Sequence, residues 1–294
     1  GTEIVANHGV YVVEKLLGEG GFGAVYRVYE KKTPKVRLAM KVEKKLENRK
    51  DPKLKMEVAI LKLVGQKRGS SSHFTAIVDR GKRPDFFFVV MQLVGRSLGD
   101  LKKRQPAGCL SLCCGLSAGK QCLEAIEDLH KAQFIHRDIK PANFACGRGA
   151  KKRVIYILDF GIARKYTNER GELKTPREKA RFKGTMKFAA VACHKGEEQS
   201  PKDDVEQWFY LQLDITMSRA KQKGSNSNAS FGFFKAKLFE GLPCASELGT
   251  ILDYFAGLKY VDVNLDYGYI YGHLAKAAEA GGGTLNDMYD WEKD

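Results

Sequence analysis

The sequence predicts an α+β fold in two lobes, a small β-rich lobe with one main helix followed by a larger, mostly helical lobe. Three observations predict it. β-Branched and aromatic residues cluster in short runs up to about Leu93, the character changes after Gly95, and apolar residues beyond that point recur at helical spacing. With 294 residues and 43% hydrophobic composition, the chain can bury real cores.

Val10 to Leu16, Ala24 to Tyr29 and Arg37 to Val42 read as strands, and Asp85 to Leu93 as a further buried strand. Asp51 and Pro52 form an N-cap and N1 pair for a helix whose Leu54, Val58 and Leu61 share one face. Leu116, Leu123, Ile126 and Leu129 mark a long helix, and Ser200 followed by Pro201 starts another through Trp208 and Leu211. Val154 to Leu158 is a short apolar strand. The stretch from Lys221 to Ser230 is rich in lysine, glycine, serine and asparagine and reads as a mobile surface loop. There are no internal repeats.

The formal charge of +15 favours polyanionic partners, namely nucleic acid, acidic lipid or acidic and phosphorylated protein. No nucleic-acid module is recognisable, and lysine runs such as Lys151, Lys152 and Arg153 read as solvated faces. Seven cysteines at irregular spacing suggest thiols in a reducing compartment rather than a disulfide framework or zinc site. No apolar run is long enough to span a bilayer, and Gly1 to His8 lacks a signal pattern. The expectation is an intracellular protein.

Four motifs carry chemistry. Gly18, Gly20 and Gly23, followed by Val25, form G-x-G-x-x-G between two strands, where a dinucleotide site would need a helix to follow. Such a hairpin lets backbone N–H groups approach phosphates, with Phe22 at its tip as a shield from water. Lys41 in an apolar strand could be an edge lysine reaching solvent, but Glu57 on the next helix supplies a carboxylate to pair with it and to hold it on phosphates. In His136-Arg137-Asp138-Ile139-Lys140-Pro141-Ala142-Asn143, Asp138 would orient an acceptor hydroxyl, Lys140 would neutralise a moving phosphoryl group and Asn143 would ligate Mg²⁺. Asp159-Phe160-Gly161 adds a second Mg²⁺ ligand, Asp159, with an apolar residue behind it.

In this order the motifs resemble a eukaryotic protein kinase, which implies the bilobal kinase fold, with residues 9–93 as the small lobe, 94–96 as hinge and 97–294 as the large lobe. His194-Lys195-Gly196-Glu197-Glu198-Gln199-Ser200 with Asp203-Asp204 resembles the casein kinase I superfamily. Val90-Met91-Gln92-Leu93, Gly171 to Arg177 and the terminal Asp290-Trp291-Glu292-Lys293 look most like its tau-tubulin kinase branch, of which the chain is identified as a divergent member.

The resemblance implies ATP and Mg²⁺ as cofactors and serine or threonine of proteins as acceptors. It makes Met91 the gatekeeper, Gln92 and Val94 the adenine-bonding groups and Asp100 the ribose contact. Leu17, Val25, Ala39, Ala145 and Leu158 would sandwich the adenine, with Ala145 standing where the family has leucine. The activation segment presents Arg177, Lys179, Arg181, Lys183 and Lys187, which form either a solvated basic loop or a substrate anion site at Arg181, Lys183 and Lys187. Where Lys187 stands the family has an arginine that helps bind an acidic or pre-phosphorylated substrate, and lysine keeps the charge without the fork. The resemblance also implies activity without phosphorylation of the activation segment, although Tyr166, Thr167 and Thr175 are candidate acceptors there. The departures are Ala190-Val191-Ala192 where casein kinase I has Ser-Ile-Asn, Phe209 at an expected glycine, and the missing Leu-Pro-Trp. They concern docking of substrate rather than ATP chemistry. Two other classes compete: a pseudokinase scaffold, which intact Lys41, Glu57, Asp138, Asn143 and Asp159 argue against, and a polyanion-binding module, which ordered motifs argue against.

Overall fold

Alternation along strands organises the first part of the chain. The computed structural model describes residues 1–20, 23–46, 52–65, 72–217 and 239–292. Six strands, β1 Glu3–Val5, β2 Val10–Gly20, β3 Gly23–Glu30, β4 Thr33–Lys44, β5 Ile77–Lys82 and β6 Phe86–Gln92, form one sheet in the order β1-β2-β3-β4-β6-β5. Every pairing in it is antiparallel. Because successive side chains face opposite ways, Met40, Phe88 and Val90 pack with Tyr11 and Val28 on one face. Ala39, Val89 and Met91 meet Leu54 on the other.

Leu54 belongs to α1 Lys53–Val64, the helix expected from the apolar spacing. Its start differs from the expectation. Pro52 is the N-cap residue rather than N1, and Asp51 lies outside the described residues. The first helical N–H groups are satisfied from the sheet instead, by Glu43 of β4, whose Oε1 accepts from Lys53 N at 3.0 Å and Oε2 from Leu54 N at 2.6 Å.

Beyond β6 the chain is mostly helical, with α2 Leu98–Arg104, α3 Leu112–Lys131, α4 Val191–Lys195, α5 Pro201–Thr216, α6 Ala245–Ala256 and α7 Tyr267–Ala280. Four short strands form two ladders, β7 Phe134–Ile135 with β10 Arg164–Lys165, and β8 Phe144–Cys146 with β9 Ile155–Ile157. Helix α5 begins as expected, with Ser200 at the N-cap, Pro201 in the first turn and Asp203 Oδ2 accepting from Ser200 N at 2.7 Å. It lies tightly against α3: Trp208 Nε1 donates to Gly119 O at 2.7 Å, and a Cβ on Gly119 would sit 1.6 Å from Gln212 Oε1. Phe209, at the position expected to be glycine, is buried against the rings of Phe255 at 5.6 Å and Phe239 at 6.3 Å. It is therefore a core residue here. The expected loop from Lys221 to Ser230 falls outside the described residues. No helix among those described is long and apolar enough to cross a membrane.

Helix α3 also carries a charge device. Lys120 Nζ lies 2.6 Å from Glu124 Oε1, and His73 Nε2 lies 3.3 Å from Glu124 Oε2. Burial raises the Glu124 carboxyl, but His73 and Lys120 outweigh it and bring it down to about 2. A depressed carboxyl contributes stability that is complete above its unfolded value and is lost as pH falls through the folded one. Glu124→Gln should therefore lower stability near neutral pH by roughly 2 kcal/mol. The gap from wild type should close as pH falls from 4.5 to about 2 in urea unfolding series. A gap that does not change with pH would assign the loss to packing.

Candidate active site

A cavity of about 870 Å³ opens between the sheet and the helical part. Its upper wall is the β2–β3 hairpin with Gly18, Gly20 and Gly23, and Leu17, Val25 and Ala39 line it beside them. Phe22 lies outside the described residues. Met91, Gln92 and Val94 border its rear, where β6 runs into the connection to α2. That connection is pinned to the helical part, since Gly95 N donates to Cys146 O at 2.6 Å and Cys146 N to Arg96 O at 3.0 Å.

Lys41 projects from β4 into the cavity. Its ammonium lies 2.6 Å from Glu57 Oε2 on α1 and 3.0 Å from Asp159 Oδ1. Burial works against its charge, but the carboxylates of Glu57 and Asp159 outweigh it and hold its pKa above the ordinary lysine value. The same ammonium holds the Asp159 carboxyl below the ordinary aspartate value, again against burial. Asp159 has a left-handed backbone, φ 65°, which turns its carboxylate to the cavity while Phe160 points into the core. Phe160 stacks on Phe74 at 5.8 Å and meets the His136 ring at 5.4 Å.

The floor is the loop between β7 and β8. Asp138 Oδ1 accepts from Thr185 Oγ1 at 2.7 Å, and Oδ2 accepts from Lys140 Nζ at 2.8 Å and Asn143 Nδ2 at 3.2 Å. Lys140 also donates to Thr185 Oγ1 at 2.8 Å, closing a triangle. Gly184 brings Thr185 there: its φ is +105°, and a Cβ on it would lie 2.4 Å from Arg137 O. Asn143 Nδ2 donates to Asp138 O at 2.8 Å, which leaves its amide oxygen directed elsewhere as an acceptor.

Asp204, on α5, carries this loop. Its Oδ2 accepts from His136 N at 2.6 Å and contacts His130 Nε2 at 3.0 Å, and its Oδ1 accepts from Arg137 N at 2.8 Å. Burial opposes its charge, yet the hydrogen bond and charge of His130 and the His136 contacts keep its carboxyl below the ordinary aspartate value.

The fold thus brings Lys41, Glu57, Asp138, Lys140, Asn143, Leu158 and Asp159 to one cavity. Two expected residues do not border it. Ala145 is buried in β8, paired with Tyr156, and the exposed Asp100 carboxylate accepts from Ser97 Oγ at 2.8 Å. Lys183 lines the mouth and Arg181 is exposed next to it. Lys187 Nζ lies 2.5 Å from Asp214 Oδ1, a carboxylate that also takes the buried Lys102. Sequence reasoning missed Thr185 and Glu43, and quoted Asp204 within a motif without assigning its role; a threonine directly after a glycine was the local signal for the first.

Asn143 and Asp159 supply an amide oxygen and a carboxylate, which suit a hard divalent cation. Among the described residues no cluster of three or more His, Cys, Asp or Glu side chains could hold a metal alone. That donor set would suit a divalent cation whose remaining ligands come from a bound partner.

Comparison with known proteins identifies the family. The family model described as protein kinase domain matches residues 11–208. The serine/threonine-protein kinase spe-6 of Caenorhabditis elegans is 33% identical over 286 residues, covering 93% of this chain and 73% of that protein. A second protein of that organism, named as a candidate casein kinase I, is 33% identical over 211 residues, 70% of this chain and 59% of its own length. A Dictyostelium discoideum protein named as a serine/threonine kinase is 28% identical over 290 residues, 97% of this chain and 57% of its length.

The grip of Asp204 can be tested without any assay of activity. An amide offers one acceptor oxygen where a carboxylate offers two. Asp204→Asn should therefore leave one loop N–H without its partner, lower stability by roughly 2–4 kcal/mol and speed hydrogen exchange at His136 and Arg137. Unchanged exchange there would show that the loop is held by other contacts.

Proposed function

The chain belongs to the protein kinase family, and we propose that it transfers the γ-phosphoryl group of ATP to serine or threonine hydroxyls of protein substrates. The observation that carries this reading is the convergence of the Lys41–Glu57 pair, Asp138, Lys140, Asn143 and Asp159 on one cavity roofed by a glycine-rich hairpin. A divalent cation bound with ATP would be held by Asn143 and Asp159 and would neutralise phosphate charge.

The protein's own groups account for the rest. Lys41, kept charged and aimed by Glu57, holds phosphate oxygens. Asp138 Oδ1 carries one hydrogen bond, from Thr185, so a lone pair remains to accept the hydroxyl of an incoming serine or threonine. It orients that oxygen and receives its proton, while Lys140 opposes negative charge on the transferring group. Gln92 and Val94 hydrogen-bond adenine through their backbone, and Met91 limits the depth of the pocket. Within the family, the casein kinase I superfamily and its tau-tubulin kinase branch are the nearest fit to the motifs.

We also assign a preference for acidic or pre-phosphorylated substrates. Arg181 and Lys183 stand exposed at the mouth, whereas the Lys187 ammonium is engaged by Asp214, so the first two carry most of the attraction.

Two experiments test these readings. With Mg²⁺, ATP and casein as acceptor, Asp138→Asn should lower turnover by roughly 100- to 10,000-fold while a fluorescent nucleotide still binds, whereas Asp159→Asn should weaken nucleotide binding only when Mg²⁺ is present. Near wild-type turnover by the Asp138 variant would remove the catalytic assignment. Replacing Arg181 and Lys183 together by alanine should lower kcat/KM for a phosphoserine-containing peptide by about 3- to 10-fold, as exposed charges allow. Added salt should erode the same preference. An equal loss on a neutral peptide would mean a structural role for the pair.

A further inference from the structure

Glu198 lies in the segment that leads into α5, outside the cavity, and its side chain is 4% exposed. Two guanidinium groups contact it, and a third acts on it through its field. Arg177 forks onto it, Nε to Oε2 at 2.5 Å and Nη2 to Oε1 at 3.0 Å, and Arg164 Nη2 lies 3.5 Å from Oε2. Arg137 adds its field from the catalytic loop. Burial raises the Glu198 carboxyl, and the Arg177 hydrogen bonds and the other arginines outweigh it and hold it below the ordinary glutamate value.

The three arginines come from three separate places. Arg137 sits between His136 and Asp138, and its Nε and Nη2 donate to Ile162 O at 2.8 and 2.6 Å. Arg164 is in β10, opposite Ile135 of β7, directly before His136. Arg177 is midway along the segment that ends at Gly184 and Thr185, the groups placed against Asp138. Three cations brought this close repel one another unless an anion stands between them. The carboxylate paired with Arg177 and Arg164 is that of Glu198, six residues before Asp204, and close by Ala180 N donates to Gly196 O at 2.7 Å.

We propose that Glu198 is a positioning residue whose carboxylate is the resident anion holding the activation segment on the catalytic loop, in the place where an added phosphate would otherwise be needed. Through Arg177 it fixes the run toward Thr185, and through Arg164 it fixes the β10–β7 ladder that leads to Asp138. The activity arm of the test rests on the kinase reading above; the exchange arm does not.

The experiment compares wild type with Glu198→Ala and with Glu198→Gln, which keeps the volume and removes the charge. Hydrogen exchange across residues 162–187 should rise in both variants while α5 stays protected. Inorganic phosphate or sulfate should restore that protection in Glu198→Ala, and chloride at equal ionic strength should not. On casein, kcat should fall by up to about 100-fold, as for misplaced catalytic groups, with the KM for ATP little changed and partial recovery in phosphate. Phosphatase-treated wild type should keep its activity. Wild-type exchange in both variants, failure of either oxyanion to restore protection, or loss of activity on phosphatase treatment would each overturn the proposal. A wild type that turns over no protein substrate, with the exchange and oxyanion results as expected, would instead remove the kinase reading and leave the anchoring role standing.

Discussion

The site depends on one buried carboxylate. Asp204 lies in the core, yet it takes the backbone N–H groups of His136 and Arg137 and a ring nitrogen of His130. A buried carboxylate with fewer donors would be costly, so the contacts are mutually enforcing. Arg137 adopts φ 69°, a conformation disfavoured for residues with a side chain, and these hydrogen bonds oppose its relaxation. Since Asp138 is the next residue, the direction of its carboxylate follows from a side chain on another element. The position of α5 is in turn fixed by Trp208 and by the close approach at Gly119.

The sheet uses a parallel device. Lys41 and Glu43 are two residues apart on β4 and so face the same side. Lys41 pairs with Glu57 in the second turn of α1, and Glu43 satisfies the first N–H groups of that helix. One strand thereby sets both the end and the rotation of α1. A displaced α1 would strand the buried Glu57 carboxylate, which makes its placement closer to two-state than continuously adjustable.

What was legible in the sequence follows from the range of the interactions. Short linear spacings announced the glycine hairpin, the run from His136 to Asn143 and Asp159-Phe160-Gly161, because each is a local backbone arrangement that names its own residues. The α1 cap was misplaced because a local signal, Asp51-Pro52, competed with Glu43, ten residues before Lys53 and on a different element. Asp204, Thr185 and Glu198 act on partners 67, 47 and 21 residues away, and no periodicity reports that. Phe209 shows the opposite limit: its place in an aromatic group with Phe239 and Phe255 depends on chain folded in from beyond α5.

Charge placement explains why a chain of +15 needs anions in its interior. Glu57, Glu198 and Asp214 are buried, and each draws in cations: Lys41, then Arg177 and Arg164, then Lys102 and Lys187. Lys41 reaches its anions from inside the cavity, and Lys187 reaches Asp214 from the surface. The cations at the rim, Arg181 and Lys183, stand on the exposed side of the same segment. Such a cleft pairs its buried carboxylates with cations while exposed cations stand at its mouth. Positive charge placed there acts over distances set by the Debye length, and it does so without drawing on the buried ion pairs.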